Sequence, residues 1–387
     1  MLQKSAQIMA AVVVMGFATA QAEEKAEESR SPGPAVEEPH HLAIGKGGYV
    51  KLAALLQGWM KVAHQEDTSS TFRVRRAEIK VKGEIVKDLF GFGVMIDPAK
   101  LLEQDEEKVI LLDGDDNPVV DADGNPVTIR NHKHAGSILQ DLWVSVLTEY
   151  ADISIGQFKI PVSWEGLNSS SKLIFAERSV VSGAHAPDGL LPKDHFKGYG
   201  DRRGLGIKVE KKFHYVGYFV GLYNGAERNR LDFDNFKDLA ARIEGYPYPG
   251  ITIGAMAYMT LRDKQGQANA KDRWEGDIRI AIDPVIFQAE YIRGRDHDDT
   301  GKGRTGQGFY ATLAWNIIPE VQVKARGGGF DYDVSSGKNA LWEAATGLTC
   351  FFDKYDANLK LDYYMYKSTD SSKNVEHQVI FAAQAHF

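Results

Sequence analysis

Hydrophobic and polar residues alternate with a period of two through most of the chain beyond residue 41, and this alternation restricts the folds that the chain can adopt. Between residues 272 and 283, for example, Trp274 and Ile278 fall on one face of a predicted strand, and Arg273 and Asp277 fall on the other. The second face carries more charge than the solvent side of a soluble sheet usually does. Strands with lipid on one side and water on the other show this pattern.

About sixteen segments alternate in this way, which predicts an all-β fold, a 16-stranded antiparallel transmembrane β-barrel with both chain ends on the periplasmic side. The predicted strands begin near Val50, Phe72, Leu89, Ile138, Asp152, Gly200, Tyr215, Phe236, Ile251, Asp272, Val285, Gly306, Glu320, Ala340, Asp356 and Asn374. The last strand ends on Phe387. Because a closed barrel leaves no unpaired edge in lipid, we expect this strand to pair with residues 50–64.

The first 41 residues differ from the rest of the chain. Residues 1–22 are predicted to be a secretory signal peptide, with an apolar run at 8–17 and an A-x-A cleavage site at 20–22. The apolar run is too short for a transmembrane helix, which needs roughly 20 apolar residues. Residues 23–41 are acidic and proline-rich, which predicts a disordered periplasmic segment. Residues 42–387 are then the barrel, placed in the outer membrane of a Gram-negative bacterium.

Composition and motifs give no indication of catalysis. The single cysteine excludes an intrachain disulfide and a cysteine-rich metal cluster, and no haem-attachment motif or nucleophile elbow is present. An acidic loop at residues 113–125 fails the pattern of a calcium-binding loop, and His132 with His134 is a weak metal signal. We therefore predict no enzyme activity, no cofactor and no metal site. The net charge of −7 argues against a nucleic-acid partner.

Basic residues recur on the polar face of the predicted strands, where they would line a water-filled lumen. Lysine and arginine in a narrow pore attract anions and replace part of their hydration shell. Acidic residues share this face, so ion pairing within the wall is the alternative interpretation. The basic residues are Lys61, Arg76, Lys80, Lys82, Lys208, Arg242, Arg273, Arg279, Lys324, Arg326 and Lys360, and the acidic ones include Glu78, Glu84, Glu210, Glu244, Glu275, Asp277 and Asp362.

Two segments resemble the phosphate-selective porin O and P family. The first is F-R-V-R-R-A-E-I-K-V-K-G at residues 72–83, similar to that family's F-R-R-A-like strand and hairpin. The second is I-G-Q-F-K-I-P at residues 155–161, which continues into a loop with Glu, Ser-Ser and Glu-Arg elements. The resemblance implies a trimeric porin in which the loop after the G-Q-F strand folds into the lumen as a constriction.

The resemblance also implies roles for individual residues. Arg75 and Arg76 match the adjacent arginines that line the family's constriction, and Lys159 follows the G-Q-F match. Regular alternation allows only one of the two arginines to point inward, and a β-bulge would let both do so. The constriction loop would include Glu165, Ser169, Ser170, Glu177 and Arg178, of which Arg178 is a candidate loop anchor.

The expected function is passive diffusion of small anions, most simply phosphate-like oxyanions, through a homotrimer embedded in outer-membrane lipid. Arg75, Arg76, Lys80, Lys82 and Lys159 are the predicted anion-binding residues that line the pore. One feature departs from the family, because Leu55 stands where its phosphate porins have an arginine, and this leaves a different oxyanion or a broader pore open. The alternative function is a barrel that sheathes a partner, such as a redox protein of an envelope complex.

Overall fold

The computed structural model describes residues 41–45, 47–102, 107–110, 128–131, 138–182, 199–200, 202–225, 228–229, 236–261, 270–297, 302–337 and 339–387. The predicted signal peptide, nearly all of the predicted acidic segment, the acidic loop at 113–125 and the histidine pair at 132–134 lie outside these residues. Leu42–Phe387 forms one compact unit.

Within the described residues, sixteen antiparallel strands form one closed sheet, each paired with its neighbours in the chain. Each strand begins within four residues of its predicted start, with the largest difference at the second strand. The strands are β1 Gly48–His64, β2 Thr68–Val86, β3 Phe90–Ile96, β4 Leu139–Leu147, β5 Asp152–Lys159, β6 Arg203–Lys212, β7 Val216–Tyr223, β8 Lys237–Tyr248, β9 Ile251–Leu261, β10 Lys271–Ile282, β11 Val285–His297, β12 Gly303–Ile318, β13 Val321–Asp331, β14 Ala340–Asp353, β15 Ala357–Ser368 and β16 Glu376–His386.

Smaller elements accompany the sixteen strands. Three short strands are His41–Ile44, Glu107–Ile110 and Thr128–Asn131. The first is hydrogen-bonded to the sheet of the barrel, and the last two pair with each other. The helix α1 spans Trp164–Leu167, with the Ser163 hydroxyl accepting a hydrogen bond from the N–H of Gly166. Two 3₁₀ turns cover Pro98–Leu101 and Ser170–Lys172. No helix among the described residues is long and apolar enough to cross a membrane.

The barrel closes where β16 pairs with β1, as the sequence predicts. Gln384 lies opposite Gln57, and His377 lies opposite His64. The pairing extends to the end of the chain, because Phe387 and Ala54 exchange two backbone hydrogen bonds of 2.9 and 3.1 Å. A lipid-facing edge with unpaired backbone groups is thereby avoided.

The connections differ between the two ends of the barrel. At the end that holds Phe387, consecutive strands are joined by segments of two to four residues, at 87–89, 148–151, 213–215, 249–250, 283–284, 319–320 and 354–356. The connections at the other end include the two longest, residues 97–138 and 160–202, although 65–67 is also short there. This asymmetry is typical of outer-membrane barrels, with short periplasmic turns and longer external loops.

The two faces of the strands differ as the alternation predicts. In β10, Trp274 is 54% exposed on the outer face, whereas Arg273 and Glu275 are buried on the inner face. Exposed aromatics cluster near both strand ends on the outer face, which matches the interfacial belts of membrane barrels. Those near the end with short turns include Phe90, Tyr215, Tyr248, Trp315, Phe352 and Phe387, and those near the other end include Phe72, Trp274, Phe309 and Trp342.

Candidate functional site

A β-bulge on β2 brings two adjacent arginines to the inner face of the barrel. Gln57 of β1 lies opposite Arg76, and the next residue, Gly58, lies opposite Val74, so Arg75 is an extra residue without a partner on β1. Arg75 and Arg76 are 5% and 3% exposed. The bulge is the condition under which both arginines can face the lumen, because it shifts the alternation by one residue.

The same shift adds a third arginine to the inner face. Beyond the bulge, Arg73 lies opposite Trp59, which is buried inside the barrel. The flanking Phe72 and Val74 are exposed on the outer face. Regular alternation from Arg76 assigns Arg73 to the lipid side, so the alternation does not predict an inward Arg73.

The two arginines contact the carboxylate of Glu177, which lies on the long connection between β5 and β6. Arg75 Nε is 2.5 Å from Glu177 Oε1, and Arg76 Nη2 is 3.7 Å from Glu177 Oε2. Arg76 Nη1 also donates to Gln57 Oε1 at 2.6 Å, and the Arg75 guanidinium lies 5.5 Å from the centre of the Trp59 ring. We call Arg75, Arg76 and Glu177 the arginine site.

The described part of this connection, residues 160–182, packs against the inner face of the barrel wall. Its backbone N–H groups donate to carboxylates of the wall: Ala176 to Asp362 at 2.7 Å and Val180 to Glu343 at 2.9 Å. Its carbonyl groups accept from wall side chains, Ile174 from Lys324 at 2.7 Å and Leu173 from Lys360 at 2.6 Å, and those of Glu177 and Arg178 from Arg326. Buried backbone groups need such partners, so the wall side chains take the place of a neighbouring strand.

These contacts change the interpretation of three predicted lumen cations, Lys324, Arg326 and Lys360. Lys324 is 2.8 Å from Asp362, and Arg326 pairs with Glu343, all within the buried wall. Lys360 donates to the loop backbone. These three cations bind wall carboxylates or the loop backbone, so their presence on the inner face does not indicate an anion-binding site. We call Lys324, Arg326, Lys360, Glu343 and Asp362, on β13–β15, the anchor wall.

Residues 169–171 of the loop lie at the seam between β1 and β16, where two of their carbonyl groups accept hydrogen bonds. Gln57 Nε2 donates to Gln384 Oε1 at 2.7 Å and to the carbonyl of Ser170 at 3.3 Å. Gln384 Nε2 donates to the carbonyl of Ser171 at 2.9 Å. The hydroxyls of Ser169 and Ser171 are 3.0 Å apart. The predicted loop serines therefore lie at the seam that closes the barrel.

Glu165, Arg178 and Lys159 form hydrogen bonds to the loop, and Glu165 Oε1 also lies 3.6 Å from Arg326 of the anchor wall. Glu165 Oε2 accepts from the N–H and the hydroxyl of Ser179, at 2.9 and 2.8 Å, and from the hydroxyl of Ser182. Arg178 donates to the carbonyls of Glu165 and Asn168, both at 3.2 Å.

Lys159 Nζ donates to the carbonyls of Gly166, Leu167 and Asn168, at 2.6, 3.4 and 3.0 Å. A cation beside these carbonyls satisfies acceptors that the short helix α1 leaves open. The Lys159 ammonium thus contacts the loop backbone. Anion binding by Lys159 and the anchoring role of Arg178 both stay predictions.

The far end of the loop returns to the wall through Tyr199. Its N–H donates to the carbonyl of Val181 at 2.9 Å, and its ring packs edge-on against Phe330. The Arg273 guanidinium lies 3.8 Å from the ring centre. Burial raises the pKa of the Tyr199 phenol to about 12, although Arg273 opposes the rise. The phenol is therefore neutral at ordinary pH.

Lys80 and Lys82 lie on the inner face between the arginine site and the short turns. Lys80 Nζ is 2.8 Å from Glu78 and partly exposed, and Lys82 is exposed. Lys82 lies directly opposite Lys51 of β1, a residue that the sequence analysis did not select. Within the described part of the chain, Lys51 and Lys82 form no ion pair. We call Lys51, Lys80 and Lys82 the lysine patch.

Leu55 occupies the inner face directly opposite Glu78 and is 2% exposed. It lies two residues from Gln57, which binds Arg76. The position at which the family resemblance predicts an arginine thus falls beside the arginine site, and it holds an apolar side chain.

A second cluster of lumen charges lies on β8 and β10. Arg242 contacts Glu244 and Glu275 at 2.8 Å and Asp277 at 2.7 Å. Gly254 of β9 leaves room for this cluster, because a Cβ there would clash with Arg242 and Asp277. Three carboxylates thus share the one guanidinium, so the donors of Arg242 are directed at the wall.

Comparison with known proteins gives the same architecture. Residues 53–247, half of the chain, match the family described as phosphate-selective porin O and P. The chain belongs to this family. It is an outer-membrane porin of Gram-negative bacteria, a channel and not an enzyme. No match was found among curated protein sequences.

Solved porins share the fold of this chain at low sequence identity. An OmpF of Salmonella typhi in complex with daunomycin matches with a TM-score of 0.60 and 11% identity, over 88% of this chain and 98% of that one. An anion-selective porin from Comamonas acidovorans has a TM-score of 0.58 and 12% identity, over 88% and 100%. The trimer form of OmpT from Vibrio cholerae has a TM-score of 0.55 and 9% identity, over 88% and 99%.

Proposed function

We propose that this porin passes small anions by passive diffusion and favours oxyanions such as phosphate. The arginine site carries this proposal. The bulge gives two guanidinium groups a common inner face, and the carboxylate that they hold is itself a planar oxyanion. Guanidinium groups bind carboxylates and phosphates through paired N–H donors, so a solute oxyanion can use the same donors.

The lysine patch supports a path for anions between the arginine site and the periplasmic end. Lys51 and Lys82 face each other across β1 and β2. Like charges directly opposite one another destabilise a sheet, and a passing anion relieves this repulsion. Lumen lysines also raise the local concentration of anions, because the low-dielectric wall focuses their field.

The loop at residues 160–182 is proposed to form the constriction. Glu165, Ser169 and Arg178 make contacts within the loop, and the Ser170 carbonyl accepts from Gln57 of the wall. Glu177 is the loop side chain at the arginine site. The loop binds the inner face of the barrel through both its N–H and its carbonyl groups. A loop held in this way occupies lumen space that a partner protein inside the barrel would need. This favours passive diffusion of small solutes over the alternative function of a barrel that encloses a partner protein.

We further propose that the porin is a homotrimer, as the related OmpT trimer form suggests. Native mass spectrometry of the protein in detergent tests this proposal. A mass of three chains is expected, and a single-chain mass under conditions that preserve folded barrels would contradict it.

A planar-bilayer recording tests the proposed solute class. With a potassium chloride gradient across the bilayer, the reversal potential of the wild-type channel is expected to have the sign of anion selectivity. Added inorganic phosphate should then reduce the chloride current at concentrations where added sulfate or nitrate reduce it less. A cation-selective reversal potential contradicts the proposal.

A further inference from the structure

We propose that Glu177 is a built-in competitor for the arginine site: a tethered carboxylate that a permeating anion must displace, and that therefore sets the strength of anion selectivity. This inference rests on the proposed function, since it requires anions to use Arg75 and Arg76. It adds a residue that determines specificity, with an effect opposite in sign to that of the arginines.

The contacts of Glu177 are those of a bound anion. One carboxylate oxygen lies 2.5 Å from Arg75 Nε, and the other lies 3.7 Å from Arg76 Nη2. The carboxylate side chain is 16% exposed, whereas those of the two arginines are 6% and 4% exposed. Glu177 is therefore the most solvent-exposed member of the site.

The backbone of Glu177 is fixed to the anchor wall. Its N–H donates to the Tyr364 hydroxyl at 3.2 Å, and its carbonyl accepts from Arg326 at 3.0 Å. The preceding residue, Ala176, donates to Asp362. The side chain can swing away from the arginines while the backbone stays in place, so displacement by a solute does not require the loop to unfold.

Tethering decides how strongly Glu177 competes. A group held on a short tether acts as if it were present at a local concentration on the order of millimolar or more. A free anion must exceed this local concentration or bind the arginines better. The carboxylate also removes one of the two positive charges of the pair. Its loss should therefore strengthen both anion selectivity and anion binding.

The matched comparison uses two substitutions that each remove one lumen carboxylate. Glu177→Gln removes the carboxylate at the arginine site. Glu210→Gln removes one on β6, where Glu210 pairs with Lys208 on the inner face. Both variants change the net charge by the same amount and keep the size of the side chain, so the comparison controls for net charge and for side-chain volume.

Reversal potentials in a potassium chloride gradient give the anion-to-cation permeability ratio of each variant. Glu177→Gln is expected to raise this ratio about threefold or more over wild type, as removal of one partly screened ion pair implies, and to exceed Glu210→Gln. The concentration of inorganic phosphate that halves the chloride current should fall by a similar factor in Glu177→Gln. An unchanged ratio in Glu177→Gln, or equal changes in both variants, overturns the inference.

Glu177→Asp provides a second variant that keeps the charge but shortens the side chain by one methylene. Because its carboxylate reaches the arginines less well, the permeability ratio should lie between those of wild type and Glu177→Gln. A permeability ratio in Glu177→Asp equal to that of wild type, together with a large change in Glu177→Gln, would show that only the charge of residue 177 matters. That result contradicts the proposal that the Glu177 carboxylate competes for the arginines by direct contact.

Failure of the inference can be separated from failure of the proposed function. In a background with Arg75→Gln and Arg76→Gln, adding Glu177→Gln should change the permeability ratio far less than it does in wild type, because groups that act on one another are not additive. If the arginine substitutions lower the ratio while Glu177→Gln has no effect in wild type, only the competitor is wrong. If the arginine substitutions have no effect, the proposed function is wrong.

Discussion

The arginine site and the anchor wall contain the same kinds of residue on the same face of the barrel, yet the partners of those residues differ. At the anchor wall, Lys324 and Arg326 pair with carboxylates of β15 and β14 and also bind the loop backbone, at nearly zero exposure. At the arginine site, Arg75 and Arg76 contact a loop side chain that remains partly exposed. Lumen charge alone therefore does not identify an anion site, and what each cation binds decides its role.

The largest effect should come from breaking the anchor wall. Arg326→Met removes the buried guanidinium that pairs with Glu343 and lies 3.6 Å from Glu165. An uncompensated buried charge costs about 3–5 kcal/mol, so the free energy of unfolding should fall by that amount. Urea unfolding of the folded barrel, followed by tryptophan fluorescence, measures this change.

Arg304→Met is the control for that comparison, because Arg304 is 40% exposed and lies 3.8 Å from Asp333. Its unfolding free energy should change by no more than about 0.5 kcal/mol. If both variants lowered the unfolding free energy equally, the buried ion pairs of the anchor wall would contribute no more to stability than an exposed ion pair does. That result would contradict the role given to the anchor wall.

The charge cluster of β8–β10 gives a smaller effect on stability. Gly254→Ala introduces a Cβ that clashes with the Arg242–Asp277 pair and should cost about 1–3 kcal/mol, as overpacking usually does. At Gly276 a Cβ meets nothing within 4 Å, so Gly276→Ala should be neutral. The same unfolding measurement compares them, and a neutral Gly254→Ala would contradict the packing described for this cluster.

Leu55→Arg would extend the arginine site toward the family pattern. The new guanidinium would lie beside Gln57 and opposite Glu78, which would hold part of its charge. We expect the phosphate concentration that halves the chloride current to fall about fivefold, less than a full charge-assisted hydrogen bond would give. The control is Ala63→Arg, on the same face of β1 but at the far end of the strand. This variant should leave the phosphate concentration for half block unchanged.

The smallest effect is expected at the lysine patch. Replacing Lys51 and Lys82 with glutamine removes two attractive charges without touching the arginines. Phosphate block should weaken about threefold, which corresponds to a few tenths of a kcal/mol for each partly screened charge. The difference should disappear at high salt, because screening shortens the range of these charges. A salt-independent change would indicate a structural role instead.

The sequence predicted the barrel well and the site only in part. Strand starts, the two faces and the β16–β1 closure follow from local alternation, which each segment carries by itself. The pairing of Arg75 with Glu177 joins residues 102 positions apart, so no local pattern contains it. The bulge moves Arg73 to the face opposite to the one that regular alternation predicts. Lys159 binds backbone carbonyls of the loop, and because every residue type has a backbone carbonyl, the sequence does not mark these acceptors. The residue types at these positions therefore did not predict the contacts of Glu177, the inward side chain of Arg73 or the loop contact of Lys159.

The central claim is that Arg75 and Arg76 make the channel prefer anions, and one recording tests it most directly. The anion-to-cation permeability ratio is obtained from reversal potentials in a potassium chloride gradient, for wild type and for the variant with both arginines changed to glutamine. We predict that the wild-type ratio exceeds one and that the double variant loses most of this preference. A double variant with the wild-type ratio and an intact fold would contradict the claim.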